Sequence, residues 1–292
     1  MVATGIANLS AAGGSPAGSS HSQLQFPTPP WFPPTRTAGA CLITMFPRNA
    51  RVLVVDDDVD TCENLRDILT DCGYSVTVAH SGEEALPLVR REAFDVALLD
   101  FKMPGMDGLT LYREIRKLRA GTVAVIVSAY ASGDTTDQAV QAGAWRILTK
   151  PIDFAVLMPL IEIAVQQPLV MVVDDDCDLC NNLWDILRAR GYRVDIAHNQ
   201  PEAAEQLAGR RHGVVLIDMQ LPTGDGGGVF NLVRELNPES RIVLITGNRV
   251  AFELPVQQMV AAGADAVCYK PFEMPELIRE ISRLATPAGF ST

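Results

Sequence analysis

Beyond residue 48 the chain alternates short, nearly continuous apolar runs with longer amphipathic stretches. Val52–Val55, Val76–Ala79, Val96–Leu99, Val123–Val127 and Trp145–Leu148 read as strands, apolar at odd and even positions alike, as strands buried on both faces are. Between them, Cys62–Leu69, Leu109–Leu118 and residues 153–166 carry apolar residues at helical spacing. Pro87 and Pro159 fall inside predicted helices and are expected to kink or shorten them. After Gln167 and Pro168 the pattern starts again with a strand at Leu169–Val173.

The second round is a repeat of the first at a constant offset of 118 residues: RVLVVDDDVDTCENLRDILTDCGYSVTVAH aligns with LVMVVDDDCDLCNNLWDILRARGYRVDIAH. Duplication is the simplest account. Five strands alternating with five helices predict a doubly wound parallel sheet of the flavodoxin-like (βα)5 class, here α/β and twice in tandem. The expected limits are a tail over 1–48, one domain over 49–167, a second over 168–286 and a short end over 287–292. With almost no linker between them, the two domains should sit close, within a limited range of angles.

Residues 1–48 hold irregular clusters of Gly, Ala, Ser and Pro, no acidic residue, and only Arg36 and Arg48 as cations. Such a segment is expected to be disordered, and it lacks the basic amphipathic helix of a transit peptide. Translation starting at Met45 would make the preceding residues an artefact of annotation. The formal charge of the whole chain is −11, a poor match for nucleic acid or anionic lipid. No apolar run approaches the length that spans a bilayer. Six cysteines in 292 residues, with no secretory signal, read as reduced thiols in a cytoplasmic protein. Cys177 and Cys180 have C-x-x-C spacing, but the first copy places Val59 opposite Cys177 and Cys62 opposite Cys180, which weakens a metal or redox reading.

A parallel sheet of this class binds ligands beyond the C-terminal ends of its strands, and those ends carry the polar residues. Asp56 and Asp57 close the first strand, Asp100 the third, Ser128 the fourth and Lys150 the fifth. Clustered carboxylates repel and raise one another's pKa unless a cation joins them. Hard oxygen donors favour Mg²⁺. A lysine and a hydroxyl beside such a metal suit the charge on a phosphoryl group in transfer.

The ordered set VVDDD, LLDFKMPGMDG, VSAY and LTKPID, repeated as VVDDD, LIDMQLPTGDGG, ITGN and YKPF, resembles the receiver domain of two-component response regulators. The spacing is shared as well: 43 residues separate Asp57 from Asp100 and Asp175 from Asp218, and 28 separate Asp100 from Ser128 and Asp218 from Thr246. Only the last interval differs, 22 residues to Lys150 against 24 to Lys270, which puts a two-residue insertion after Thr246.

The resemblance implies that Asp100 and Asp218 accept a phosphoryl group from a phosphohistidine donor. It implies Mg²⁺ as cofactor, held by Asp57 and Asp175 with the acceptor carboxylates, with Asp56 and Asp174 assisting and the backbone carbonyls of Lys102 and Gln220 supplying a further ligand. Ser128 and Thr246 would hydrogen-bond one phosphoryl oxygen, and Lys150 and Lys270 would pair with another. Pro104, Pro151, Pro222 and Pro271 fit the turns around such a site, while Asp107 and Asp225 suit helix caps. The implied partners are a sensor histidine kinase or a histidine phosphotransfer protein and a downstream protein. The implied role is a phosphorelay response regulator with no DNA-binding output domain, a phosphoacceptor rather than a conventional enzyme.

The chain departs from that pattern in places. Receivers often carry an aromatic residue three before the lysine, and here those positions are Ile147 and Val267. By period-two counting Trp145 and Tyr269 share their strand faces. Lys102 and Tyr130 flank the first site, Gln220 and Asn248 the second. Because amides orient water well, the second aspartyl phosphate is expected to hydrolyse faster. His80 and His198 recur beside the second strand of each unit and read as structural. Two other classes compete with the receiver reading. One is a receiver-fold scaffold that is never phosphorylated. The other is a haloacid-dehalogenase-like phosphatase in which VVDDDVDT supplies Asp56 as the acceptor.

Overall fold

The computed structural model of the chain describes residues 50–129, 133–222, 226–247 and 253–285. The expectations for residues 1–48, for 287–292, and for Tyr130, Asp225 and Asn248 lie outside the described residues, as does part of the segment assigned the two-residue insertion.

The first half forms a five-stranded parallel sheet from β1 (Arg51–Val55), β2 (Ser75–Ala79), β3 (Val96–Asp100), β4 (Val123–Ser128) and β5 (Arg146–Thr149), in the order β2-β1-β3-β4-β5. Its helices are α1 (Val59–Asp71), α2 (Gly82–Arg91), α3 (Gly108–Leu118), α4 (Gly133–Ala142) and α5 (Phe154–Gln166). The second half repeats the order with β6 (Leu169–Val173), β7 (Arg193–Ala197), β8 (Val214–Asp218), β9 (Arg241–Thr246) and β10 (Ala266–Tyr269). Its helices are α6 (Cys177–Ala189), α7 (Gln200–Gly209), α8 (Gly226–Leu236), α9 (Glu253–Ala261) and α10 (Met274–Ala285). These are the two tandem flavodoxin-like sheets that the sequence pattern predicts.

Alternate residues of each strand feed two separate cores, which is why the runs are apolar throughout. In the first half, Val52, Val54, Leu98 and Val125 pack with Leu65, Leu69, Leu157 and Ile161 of α1 and α5. Leu53, Leu99 and Ile126 pack on the other face with Val89, Leu111 and Ile115 of α2 and α3. The third Asp of each triplet starts the next helix: Asp58 accepts from the N–H groups of Asp60 and Thr61 at 2.9 and 3.2 Å, and Asp176 from Asp178 and Leu179 at 3.0 Å each. An N-cap of this kind is worth about 1 kcal/mol.

Two expectations are corrected. The helices α2 and α5 run on through Pro87 and Pro159 for at least one further turn, so neither proline shortens its element. Trp145 precedes β5, and its ring packs with Leu148 in the core under α1 and α5, while Ile147 packs into the opposite core. The chain bends into the strand at this point and breaks the period-two count, so Trp145 does not share the face of Ile147.

The halves dock through unlike surfaces. The turn between α3 and β4 of the first half, at the end of the sheet opposite Asp100, seats against the edge strand β7 and helices α6 and α7 of the second. The N–H of Gly121 donates to Asp195 Oδ1 at 2.8 Å, and Arg193 Nε donates to the Gly121 carbonyl at 3.0 Å. Arg193 Nη2 pairs with Asp95 at 2.7 Å, and Trp184 Nε1 donates to the Ala120 carbonyl at 3.2 Å. Arg210 reaches the Phe94 carbonyl and Thr122 Oγ1 while pairing with Asp195 at 3.3 Å.

Asp195 is fully buried there. Burial alone would raise its pKa, but Arg210, His212 and the Gly121 N–H hold the carboxyl well below the usual carboxylate range. A side chain at Gly121 would push on this pair, since a Cβ would lie 2.7 Å from Asp195 Oδ1 and 2.9 Å from Arg210 Nη1.

Candidate functional site

The polar residues at the strand ends converge on one edge of each sheet. In the first, Asp100 is the last residue of β3 and Ser128 the last of β4, while Asp56 and Lys150 follow β1 and β5 directly. The register pairs Asp100 with Val127, which places Ser128 beside the end of β3. Carboxylate oxygens of Asp56, Asp57 and Asp100 all lie within 4.8 Å of one another, and so do those of Asp174, Asp175 and Asp218. In both sets the first and third carboxylates are buried and the middle one faces solvent.

A lysine clamps the two buried carboxylates in each case. Lys150 Nζ is 2.7 Å from Asp56 Oδ2 and 2.8 Å from Asp100 Oδ1. Lys270 Nζ is 2.9 Å from Asp174 Oδ2 and 2.7 Å from Asp218 Oδ2. Each lysine is followed by a proline in a cis peptide bond, and its N–H donates to the carbonyl of the hydroxyl residue, Ser128 or Thr246, at 2.8 Å. The remaining oxygens of Asp56 and Asp174 accept from the backbone N–H groups of Asp58 and Asp176 at 3.0 and 2.9 Å. Lys102 and Gln220 lie exposed on the loops two residues beyond Asp100 and Asp218.

The electrostatics follow from this crowding. Burial raises the pKa of Asp100, Lys150 pulls it back, and the neighbouring Asp56 and Asp57 push it up again, leaving it above the ordinary value. Asp174 is raised in the same way, by burial first and by Asp218 in addition, against the pull of Lys270. Burial disfavours the charged form of both lysines, but their hydrogen bonds to the paired carboxylates outweigh it and raise them. Three carboxylates against one ammonium leave two negative charges unmet in each pocket, the charge of one divalent cation. An all-oxygen donor set with one solvent-facing member fits a hard ion of that charge.

Two features around the site escaped the sequence reading. Gly108 and Gly226 open α3 and α8 directly against the ends of β3 and β8, where a Cβ on Gly108 would overlap the Asp100 carbonyl and one on Gly226 would sit 2.7 Å from the Asp218 carbonyl. Their signal was the recurrence of Asp-Gly at the same offset, which the cap alone does not require. Cys62 and Cys180 each donate a thiol hydrogen bond to the backbone carbonyl of Asp56 or Asp174 at 3.3 Å. Burial pushes these thiols up to about 11 and about 12, so they are inert supports of the acid loops. Cys177 is exposed and forms no disulfide among the described residues. His198 Nδ1 lies 3.1 Å from the Asp174 carbonyl.

A doubly wound sheet carrying a lysine-clamped carboxylate cluster and a hydroxyl at its C-terminal edge defines a receiver-type signalling module, present here twice. The chain belongs to the response regulator receiver domain family, whose sequence profile matches residues 52–162 and 170–282.

Response regulator receiver protein Anae109_2439 of Anaeromyxobacter sp. (strain Fw109-5) is 33% identical over 239 residues, covering 82% of this chain and 97% of that protein. The transcriptional regulatory protein ZraR of Escherichia coli (strain K12) is 40% identical over 117 residues, but the match spans only 26% of its length. Among solved structures, a CheY-like receiver domain protein from Methanospirillum hungatei JF-1 is 34% identical over 39% of this chain and 92% of its own, with a TM-score of 0.38. No helix among the described residues is long and apolar enough to cross a membrane.

Proposed function

We propose that both receivers are working phosphoacceptors in a phosphorelay, folding as units over 49–167 and 168–286. An Asp100 or Asp218 carboxylate oxygen attacks the phosphorus of a donor phosphohistidine. The P–N bond breaks, the imidazole takes up a proton, and the phosphoryl group leaves as an aspartyl phosphate. Hydrolysis by water later returns the carboxylate and inorganic phosphate. Lys150 and Lys270 hold the acceptor carboxylate in place and then pair with a phosphoryl oxygen, while Ser128 and Thr246 donate to another. Mg²⁺, held by Asp57 and Asp100 with Asp56 and the Lys102 carbonyl, or by Asp175 and Asp218 with Asp174 and the Gln220 carbonyl, would offset the two unmet charges and those of the phosphoryl oxygens.

The observation that carries this reading is the charge deficit of two in each pocket, beside a lysine already poised between two carboxylates. The phosphorylated acceptor adds charge and hydrogen-bond acceptors at the loops after β4 and β9, which biases the surface offered to a downstream protein. The donor is a sensor histidine kinase or a histidine phosphotransfer protein, and the setting is the cytoplasm.

The test is transfer from a phosphorylated histidine phosphotransfer protein to the full chain, with Mg²⁺ or with EDTA. Label that appears only with Mg²⁺ and is released by hydroxylamine, as acyl phosphates are, supports the reading. Label that is independent of Mg²⁺ or stable to hydroxylamine removes it.

A further inference from the structure

We propose that the cleft between the two receivers binds a multiply phosphorylated small molecule of nucleotide size, at a site separate from both acid pockets. The cleft encloses about 900 Å³, within the range of small-molecule sites. One wall is strongly basic. It carries Arg90 from the last turn of α2 and Arg113, Arg116 and Lys117, spaced i, i+3 and i+4 on α3. In a chain of charge −11 this concentration of cations is out of keeping with the rest of the surface.

Two of these cations have no carboxylate partner among the described residues. Lys117 pairs with Glu114 at 2.6 Å, and the buried Arg119 behind it pairs with Glu205 at 2.6 Å. Arg116 sits over the Trp184 ring, its Cζ 3.7 Å from the ring centre, and its Nη2 donates to Asn181 Oδ1 at 3.4 Å. Arg90 and Arg113 are exposed, and no carboxylate pairs with either among the described residues. Cations in the last turn of a helix offset its dipole, which explains Arg90, Arg116 and Lys117 but not Arg113, one turn before the end of α3.

The second receiver supplies an internal control. At the equivalent positions, 118 residues on, stand Ala208, Asn231, Arg234 and Glu235. The receiver fold itself therefore does not call for the basic wall, which exists only where the cleft does. Guanidinium groups present paired donors that match phosphate oxygens, and the stacking of Arg116 on Trp184 fixes one of them in advance. The unpaired cations stand on two different helices beside Arg116 and Lys117, and a chain of several phosphates matches this number of cations better than a single phosphate does. The opposite wall includes His198, whose ring meets the backbone of Asp174 in the second acid pocket, and two carboxylates, Glu205 paired with Arg119 and Glu202 accepting from the His198 N–H, so the cations still outnumber the acids.

The experiment is calorimetric titration of the full chain in EDTA, so that no metal ion can recruit phosphate to the carboxylates. ATP, GTP and inorganic tripolyphosphate are titrated into the wild type, Arg113→Glu and the double variant Arg90→Glu/Arg113→Glu. A poly-glutamate peptide serves as a non-phosphate polyanion. The expected result is saturable one-to-one binding below about 1 mM, weakened about tenfold in Arg113→Glu and further in the double variant. A nucleotide that binds more tightly than tripolyphosphate places the base in the cleft as well. The proposal is overturned if no phosphate compound saturates, if Arg113→Glu binds as the wild type does, or if the peptide binds more tightly than every phosphate compound.

Discussion

The two receivers agree where the chemistry is and differ where they touch. Their acid pockets superpose in kind and in distance, with lysine-to-carboxylate separations of 2.7 and 2.8 Å in one and 2.9 and 2.7 Å in the other. Their docking surfaces share almost nothing. Gly121, whose N–H meets Asp195, has Glu239 as its counterpart, and Trp184, Arg193, Asp195 and Arg210 have Arg66, Ser75, Thr77 and Glu92. A contact between unlike faces propagates into a filament unless something stops it. Here the faces left over at each end lack the residues that match in the contact between the two copies. Duplication thus kept the acid pocket and altered the periphery of each copy to lock one against the other.

The largest effect should come from the docking surface. Trp184→Ala removes a buried ring from the second receiver together with its hydrogen bond to Ala120, and is expected to cost about 3–5 kcal/mol in chemical denaturation. Alanine at its exposed counterpart Arg66 should leave the transition unchanged. Equal effects at the two positions would dissolve the contrast between the copies.

Next in size is Gly108→Ala, where the new Cβ meets the Asp100 carbonyl and is expected to cost about 1–3 kcal/mol and to slow phosphorylation of the first receiver. Gly226→Ala meets a carbonyl farther away and should do less. Thermal melts and phosphotransfer rates on the two variants give the ranking.

A third comparison uses pH. The Asp100 carboxyl sits above its ordinary pKa, so the folded state holds that proton more tightly than the unfolded chain does. The group's contribution is therefore neutral when it is protonated in both states and becomes unfavourable as pH rises through the folded value. Asp100→Asn is expected to raise the melting temperature at neutral pH, with the gain shrinking as pH falls into the carboxylate range. A gain that grew on acidification would reverse the sign of the argument.

The smallest expected difference lies in phosphoryl lifetime. Replacing Gln220 and Asn248 by the Lys and Tyr of the first receiver should slow dephosphorylation of the second about threefold, less than the tenfold that 1.36 kcal/mol brings. Decay of the label on the Asp100→Asn background measures it.

Most of the fold and the whole cast of the acid pockets could be read from the sequence. Apolar runs at both parities reveal strands sandwiched between helices, and carboxylates, hydroxyls and lysines set at the ends of those runs have nowhere to go but one edge. The misreadings arose where backbone geometry overrides local pattern. The helices run on through Pro87 and Pro159, and the chain bends at Trp145 before the strand begins. Docking was hidden for a different reason. Asp195 and Arg193 look like ordinary polar residues on an edge strand until the partner surface is known. The only trace was the set of positions where the repeats disagree in charge and size, of which Trp184 against Arg66 is the clearest.

The central claim is that both pockets accept phosphoryl groups, and intact-protein mass spectrometry tests it most directly. With Mg²⁺ and a phosphorylated histidine donor or acetyl phosphate, the wild type should gain two labile phosphoryl groups, and Asp100→Asn and Asp218→Asn one each. A wild type that gains none, or a doubly substituted chain that still gains one, would contradict it.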